Sequence, residues 1–473
     1  MSKPRLTRRE FVRSAAMFSA MLLPGAGRVQ ARPFSLNDPE DYTGRLCYNE
    51  NPLGPSPLAL QALRNEAALA HRYPNWLNTN VEEAIADHLD LNTDQVCVGA
   101  GATEIIQKVA DAFIGPGDEL ITAFPSYVQM ANEAIANGGT AVYVPCDENH
   151  IIDLQGILNA ITENTKIISL VNPNNPLATI IHKDDMAVFL DQIPEGIIVS
   201  VDEAYHEYVQ TQDYESCVPY IDQGYPVVII RTFSKVYGLA GARVGYVLSS
   251  AELIQQIQDV QLYATVSRPS HAAALAGLTD SDHVTSTIAE NLVSKVTLEV
   301  GFSFLGLDYI DSETNFIMVD VNTEAGPVAE GLADLGFQVR TGWDMPQHIR
   351  VSTGTADEMS DFLVALETVL ETSGVQSDMV PTVPGINSVY PNPFNNKCQI
   401  RITVPTNEKV SLVLYDILGR KTYTLINKPL APGVHDFIWE GKNALGQPAA
   451  SGVYILNLIQ GEYATSRSIQ LLK

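Results

Sequence analysis

Apolar residues along this chain follow two periods in turn. Between about Leu46 and Leu370, short β-branched runs alternate with stretches of helical period. The runs include Gln95-Val96-Cys97-Val98, Glu119-Leu120-Ile121-Thr122, Ala141-Val142-Tyr143-Val144, Lys166-Ile167-Ile168-Ser169-Leu170-Val171, Ile197-Ile198-Val199-Ser200-Val201 and Val227-Val228-Ile229-Ile230. Runs apolar on both faces suit strands covered on both sides, so the pattern predicts an α/β domain around a largely parallel sheet. After about residue 270 the texture changes. A long helical pattern around Ala289 to Phe304 precedes the strand-like Phe316 to Val321, Phe337 to Arg340 and His348 to Ser352, then a helix near Glu358 to Leu370. These predict a smaller α+β unit. Residues 371–386 are polar, bear Gly and Pro and have no period, which predicts a linker. Beyond it the period becomes two, through Val410 to Asp416, His435 to Trp439 and Gly452 to Leu458. About seven short strands, and so a β-sandwich over 387–473, are expected.

The start of the chain is a different material. Arg8-Arg9-Glu10-Phe11 leads into an apolar run from Ala15 to Leu23, and Val29-Gln30-Ala31 ends it with small residues. A basic start, a short apolar run and a small-residue end make an export signal over 1–31. The run, about ten residues, is too short to cross a bilayer as a helix. The paired arginines resemble a twin-arginine address. An exported protein is therefore expected, periplasmic, at the cell surface or secreted.

Composition narrows the partners. At 473 residues two or three domains are expected. A net charge of -26 would repel nucleic acid and anionic membranes. The five cysteines are scattered and lack paired spacing, which argues against a disulfide framework or a structural zinc site. No metal is expected.

The candidate chemistry lies at the ends of the apolar runs. Asp202 follows the run from Ile197, at the carboxyl end where crevices open in α/β sheets. A buried carboxylate there needs a cationic partner, and a protonated pyridine nitrogen would supply one; capping of the next helix is the alternative. Tyr205 and the amides of Asn172-Pro173-Asn174-Asn175-Pro176 could reach a ring hydroxyl. Gly99-Ala100-Gly101-Ala102-Thr103-Glu104 joins a strand to a helix, so its N–H groups form an anion site. Thr232, Ser234, Lys235 and Arg243 add two hydroxyls, an amine and a guanidinium. Tyr127 could stack on a flat ring. Arg350, in the apolar Ile349-Arg350-Val351-Ser352, could grip a carboxylate with its planar fork or form a structural salt bridge. Taken in order, these groups suit pyridoxal 5'-phosphate.

With Asn49-Glu50-Asn51-Pro52-Leu53-Gly54-Pro55 and Arg72-Tyr73-Pro74, these stretches resemble the fold-type I pyridoxal-phosphate aminotransferases of class I/II. The similarity covers about residues 45–370 and is closest to the histidinol-phosphate aminotransferase branch. It implies a large domain of about 60–270 and a small domain made of the N-terminal arm plus 271–370, within an enzyme region of 32–370. It also implies a homodimer with sites at the subunit interface. By this likeness Lys235 bonds the cofactor and shuttles protons, Asp202 faces the pyridine nitrogen, and Asn175 and Tyr205 hold the ring oxygen. Tyr127 stacks on the ring, while Ala102, Thr103, Thr232, Ser234 and Arg243 line the phosphate site. Tyr73 reaches the phosphate of the neighbouring subunit, and Arg350, Arg340 and Asn51 take the substrate. The implied reaction moves an amino group between a small amino acid or amino-acid phosphate and a 2-oxo acid such as 2-oxoglutarate. A decarboxylase or lyase on the same scaffold, or a surface-displayed binding protein without turnover, are the alternatives. The sequence departs from the pattern at Leu53, where tyrosine is usual, and at Leu177-Ala178, where Thr-Gly is usual. The loop from Arg340 to Arg350 is also short.

The tail carries a second likeness. Tyr390-Pro391-Asn392-Pro393-Phe394-Asn395, Leu414 to Arg420, Trp439 to Asn443 and Ala450 to Tyr454 resemble the C-terminal sorting domains of type IX secretion, related to the flagellar-hook-assembly immunoglobulin-like domain. Partners at both termini would then be export machinery.

Overall fold

In the computed structural model the apolar runs become strands whose alternate residues feed two separate cores. The structure describes residues 44–74, 81–262, 264–372 and, with short gaps, 384–471. The export signal over 1–31 and most of the linker lie outside the described residues. The chain forms two units, residues 1–375 and 376–473.

In the first unit β1 (Gly44–Arg45) precedes β2 (Val96–Gly99), α1 (Gly101–Phe113), β3 (Glu119–Phe124), β4 (Thr140–Pro145), β5 (Thr165–Val171), β6 (Ile198–Asp202), β7 (Val227–Thr232) and β8 (Gly245–Leu248). The last seven strands form one sheet in the order β2-β8-β7-β6-β5-β3-β4. Six of them point the same way, while β8 is antiparallel to both its neighbours. Val199, Val201 and Ile229 pack into one core, and Ile198, Val228 and Ile230 into the other. That two-sided burial is why the runs show no alternation of apolar with polar. The antiparallel β8 escaped the sequence reading because Gly245-Tyr246-Val247-Leu248 is short and begins with glycine. Gly245 is required where it stands: a Cβ there would lie 2.3 Å from the Ala102 nitrogen.

The smaller unit begins with α2 (Ser281–Leu305), followed by β9 (Phe316–Asp320), α3 (Ala325–Asp334), β10 (Phe337–Gln338), β11 (His348–Ser352) and α4 (Ala356–Thr372). Strands β9 and β11 pair antiparallel, with Arg350 opposite Met318. Leu298, Phe302, Val319, Ile349, Val351, Phe362 and Leu366 form its core. The N-terminal segment joins this unit, because β1 pairs parallel with β10 and Leu46 belongs to the same core. Leu177, at one departure from the family pattern, is fully buried against Ile310 and Met318.

The second unit is the expected β-sandwich. Strands β12 (Gly385–Tyr390), β13 (Cys398–Val404) and β16 (Gly433–Trp439) form one sheet. Strands β14 (Lys409–Asp416), β15 (Lys421–Pro429), β17 (Gly452–Gln460) and β18 (Tyr463–Leu471) form the other, in the order β15-β14-β17-β18. Cys398, Ile400, Ile402, Leu412, Leu456 and Trp439 fill the core between them.

Candidate active site

The ends of five strands of the large sheet, β2, β3, β5, β6 and β7, meet the N-terminal segment around a cleft of about 660 Å³. Each of its walls follows from local sequence. Residues Gly99 to Gly101 turn from β2 into α1, placing Ala102 and Thr103 in the first helical turn. Ala100, at the cap position, has no side chain that can cap. The Glu104 carboxylate replaces it, accepting the Ala100 N–H and pairing with Lys108 at 3.0 Å.

Arg243 completes this wall. Its backbone is left-handed (φ +56), and its guanidinium reaches back over Gly101. Nη2 lies 3.5 Å from Thr103 Oγ1, and Nη1 donates to the Ala240 carbonyl at 3.1 Å. Beyond β7, Thr232 Oγ1 donates to Ser234 Oγ at 2.8 Å and accepts the Ser234 N–H at 3.0 Å. Helix-terminal N–H groups, hydroxyls and one guanidinium therefore converge on a volume suited to a phosphate dianion.

Asp202 is the last residue of β6 and is buried. Its Oδ1 accepts the Ala204 N–H at 3.0 Å, yet it forms an ion pair with no described residue. Burial raises its carboxyl to about 6, against the opposing pull of that N–H and of Lys235. Behind it Glu203 accepts Arg231 Nε at 3.0 Å and Nη2 at 2.8 Å, a buried pair that anchors the turn after β6. A carboxylate left without a cation at the floor of a cleft suits a ligand that brings its own positive charge.

Lys235 is the central amine. Its Nζ donates to the Tyr48 carbonyl at 2.9 Å and lies 5.5 Å from the Tyr205 ring centroid. Burial first, then the charge of Arg350, lowers it to about 8. The phenol oxygen of Tyr205 accepts N–H groups from Asn49 at 2.9 Å and Asn175 at 3.3 Å. Arg350 Nη1 donates to Asn175 Oδ1 at 2.6 Å and Nη2 to the Cys47 carbonyl at 2.7 Å. Its Nε is buried with no partner, so one donor of the fork awaits an acceptor. Its expected alternative, a structural salt bridge, is absent among the described residues.

The structure brings Lys235, Tyr205, Asn175, Ala102, Thr103, Tyr127, Thr232, Ser234, Arg243, Arg340 and Arg350 to this one cleft; Asp202 is not among its lining residues but is near enough to Lys235 to feel its charge. Tyr127 is 38% exposed and donates to Gln129 Oε1. Two expected residues stand elsewhere. Asn51 donates its amide to the Val236 carbonyl and Thr287 Oγ1, and its Oδ1 caps the turn at Leu53, so it pins the N-terminal segment and does not line the cleft. Tyr73 is 84% exposed and lines no part of this cleft. Sequence reasoning missed Asn49 and Trp343. Trp343 lies 5.2 Å from the Arg350 guanidinium and 6.0 Å from that of Arg340. Its signal was its place between two arginines in a short loop. Among the described residues no group of three or more His, Cys, Asp or Glu is placed to hold a metal ion.

Residues 44–366 match the model of the aminotransferase class I and II family, and residues 388–434 match the secretion system C-terminal sorting domain. Similar curated proteins include a histidinol-phosphate aminotransferase of Caldicellulosiruptor saccharolyticus, 36% identical over 328 residues, covering 69% of this chain and 91% of that one. Another is the histidinol-phosphate aminotransferase of Moorella thermoacetica, 37% identical over 329 residues, with 69% and 85% covered. Among solved structures, the histidinol-phosphate aminotransferase of Sinorhizobium meliloti in complex with pyridoxal-5'-phosphate is similar at a TM-score of 0.67 and 29% identity. That match covers 70% of this chain and 92% of the other.

Proposed function

The chain belongs to the class I and II aminotransferases, and we propose that its cleft moves an amino group between a small amino acid or amino-acid phosphate of the histidinol-phosphate kind and a 2-oxo acid. It is a pyridoxal-phosphate-dependent transaminase, exported to the cell surface or beyond by virtue of its sorting domain. The observation that carries the residue assignment is Asp202, a buried carboxylate that forms no ion pair with a described residue, close to a lysine whose amine burial lowers from 10.5 to about 8.

When bound, pyridoxal 5'-phosphate supplies an electron sink for the negative charge that forms at the substrate α-carbon. Lys235 would hold the cofactor through its amine, and its Nζ would be the base that takes the substrate α-proton and gives it back. Asp202 would accept from the pyridine nitrogen and keep it protonated. Tyr205 and Asn175 would hold the ring oxygen, and Tyr127 would pack against the ring. Ala102, Thr103, Thr232, Ser234 and Arg243 would hold the phosphate. Arg350 takes the substrate carboxylate on its free Nε, with Arg340 beside it for a second anionic group. The Trp343 ring lies beside both guanidiniums, 6.0 Å from that of Arg340 and 5.2 Å from that of Arg350, and attracts each.

The working form we propose is a homodimer in which Tyr73 reaches the partner's phosphate site. We also assign residues 1–31 to a twin-arginine signal, 32–370 to the enzyme, 371–386 to a linker and 387–473 to the sorting domain. An absorbance scan tests the core of the reading: the purified protein should show a bound-cofactor band that Lys235→Ala abolishes. A panel of amino donors with 2-oxoglutarate should then yield glutamate. Carbon dioxide release in its place would assign the site to decarboxylation.

A further inference from the structure

The asparagine that reaches the cleft is Asn49, two residues before the expected one, and each of its polar groups has a partner. Its backbone N–H donates to Ser352 Oγ at 2.8 Å, and Ser352 Oγ donates back to Asn49 Oδ1 at 2.9 Å. Its carbonyl accepts from Asn315 Nδ2 at 3.0 Å. In this orientation Oδ1 accepts from Ser352 and Nδ2 donates to the Tyr205 oxygen, 2.9 Å away. Asn175 Nδ2 donates to the same oxygen at 3.3 Å. The phenol oxygen thus receives two amide donors, and its own proton is left to point into the cleft that Tyr205 lines.

We propose that Asn49 is a positioning residue that turns the Tyr205 phenol proton toward the cofactor ring oxygen and ties that orientation to Ser352 in the small unit. The inference rests on the cofactor reading above. A donor facing the ring oxygen stabilises the form that has lost its proton. Loss of the alignment therefore raises the pH at which the loaded protein changes colour.

The test is a pH titration of the cofactor absorbance in four variants. Asn49→Gly removes the amide while tolerating the positive φ of 56. Its midpoint should rise by roughly half to one pH unit, the worth of one hydrogen bond. Tyr205→Phe should raise it further, and the double variant should match Tyr205→Phe alone, because Asn49 acts only through that phenol. Ser352→Ala should move it in the same direction by less. An unmoved midpoint in Asn49→Gly, or shifts that add in the double variant, overturn the role. Should Asn49→Gly not fold, an unmoved midpoint in Ser352→Ala overturns it instead. Wild-type protein with no band overturns the cofactor reading and this role with it, whereas a normal band with an unmoved midpoint overturns the role alone.

Discussion

The guanidinium of Arg243 occupies the space a side chain on Gly101 would need: a Cβ there would stand 2.3 Å from Nη2. Gly101 also has φ +80, a conformation costing other residues roughly 1–2 kcal/mol. Gly101→Ala should therefore leave the fold cooperative but push Arg243 from the phosphate wall. Cofactor affinity, followed by quenching of protein fluorescence, should fall by about tenfold, the loss of one charge-assisted hydrogen bond. Affinity within twofold of wild type would show that Arg243 is not held by this contact.

Glu104 poses a problem for the same wall, because it brings a negative charge close to a phosphate. Lys108, almost fully buried, pairs with it at 3.0 Å and makes the capping group neutral overall. Lys108→Met should expose the phosphate to that charge. Binding of pyridoxal 5'-phosphate should weaken by about five- to tenfold, whereas binding of pyridoxal, which lacks the phosphate, should change by less than twofold. Equal losses for the two ligands would mean that the variant merely loosens the helix.

Much of this site could be read from sequence, for a definite reason. Asp202 closes the strongly apolar β6 and Lys235 follows β7 by three residues, so their position followed from the pattern around them. Asn49 and Asn51 did not separate, because both sit in one irregular segment where no period says which side chain faces inward. Only the tertiary contacts decide it: Ser352 and Tyr205 claim Asn49, while Val236 and Thr287 claim Asn51. Strand β8 was unread for a related reason, since four residues carry too little period to announce a direction. Trp343 contacts two arginines only because the chain between Arg340 and Arg350 folds back on itself.

The amine of Lys235 sets how the cofactor-free protein captures its cofactor. Attack on an aldehyde needs the neutral amine. Burial and the Arg350 charge bring that form within reach at about pH 8 rather than at the 10.5 of an ordinary lysine. The rate of capture should climb as pH rises from 6 and level off above about 8, measured by stopped-flow absorbance. Arg350→Gln removes one cation, so its midpoint should move to higher pH. A profile still climbing beyond pH 10 in the wild type would contradict the lowered value.

Arg231 and Glu203 should show how much the floor of the site depends on a buried pair. Glu203 is fully enclosed and accepts two N–H groups from Arg231, with further donors from Ser216 and from the Cys217 backbone at 2.6 Å. Arg231→Met leaves that carboxylate buried without its cation, which should cost about 3–5 kcal/mol of stability. The deficit should depend on pH with a definite sign. An unpaired buried carboxylate holds its proton to higher pH when folded than when unfolded, so the folded variant binds more protons and gains stability as pH falls. Urea denaturation at pH 7 and pH 5 should therefore show the gap to wild type narrowing at the lower pH. Replacing both partners, as in Arg231→Met with Glu203→Leu, should recover much of the loss, because no charge is then stranded. A deficit that does not vary with pH, or that the double variant leaves untouched, would place the cost in lost packing and not in the stranded charge.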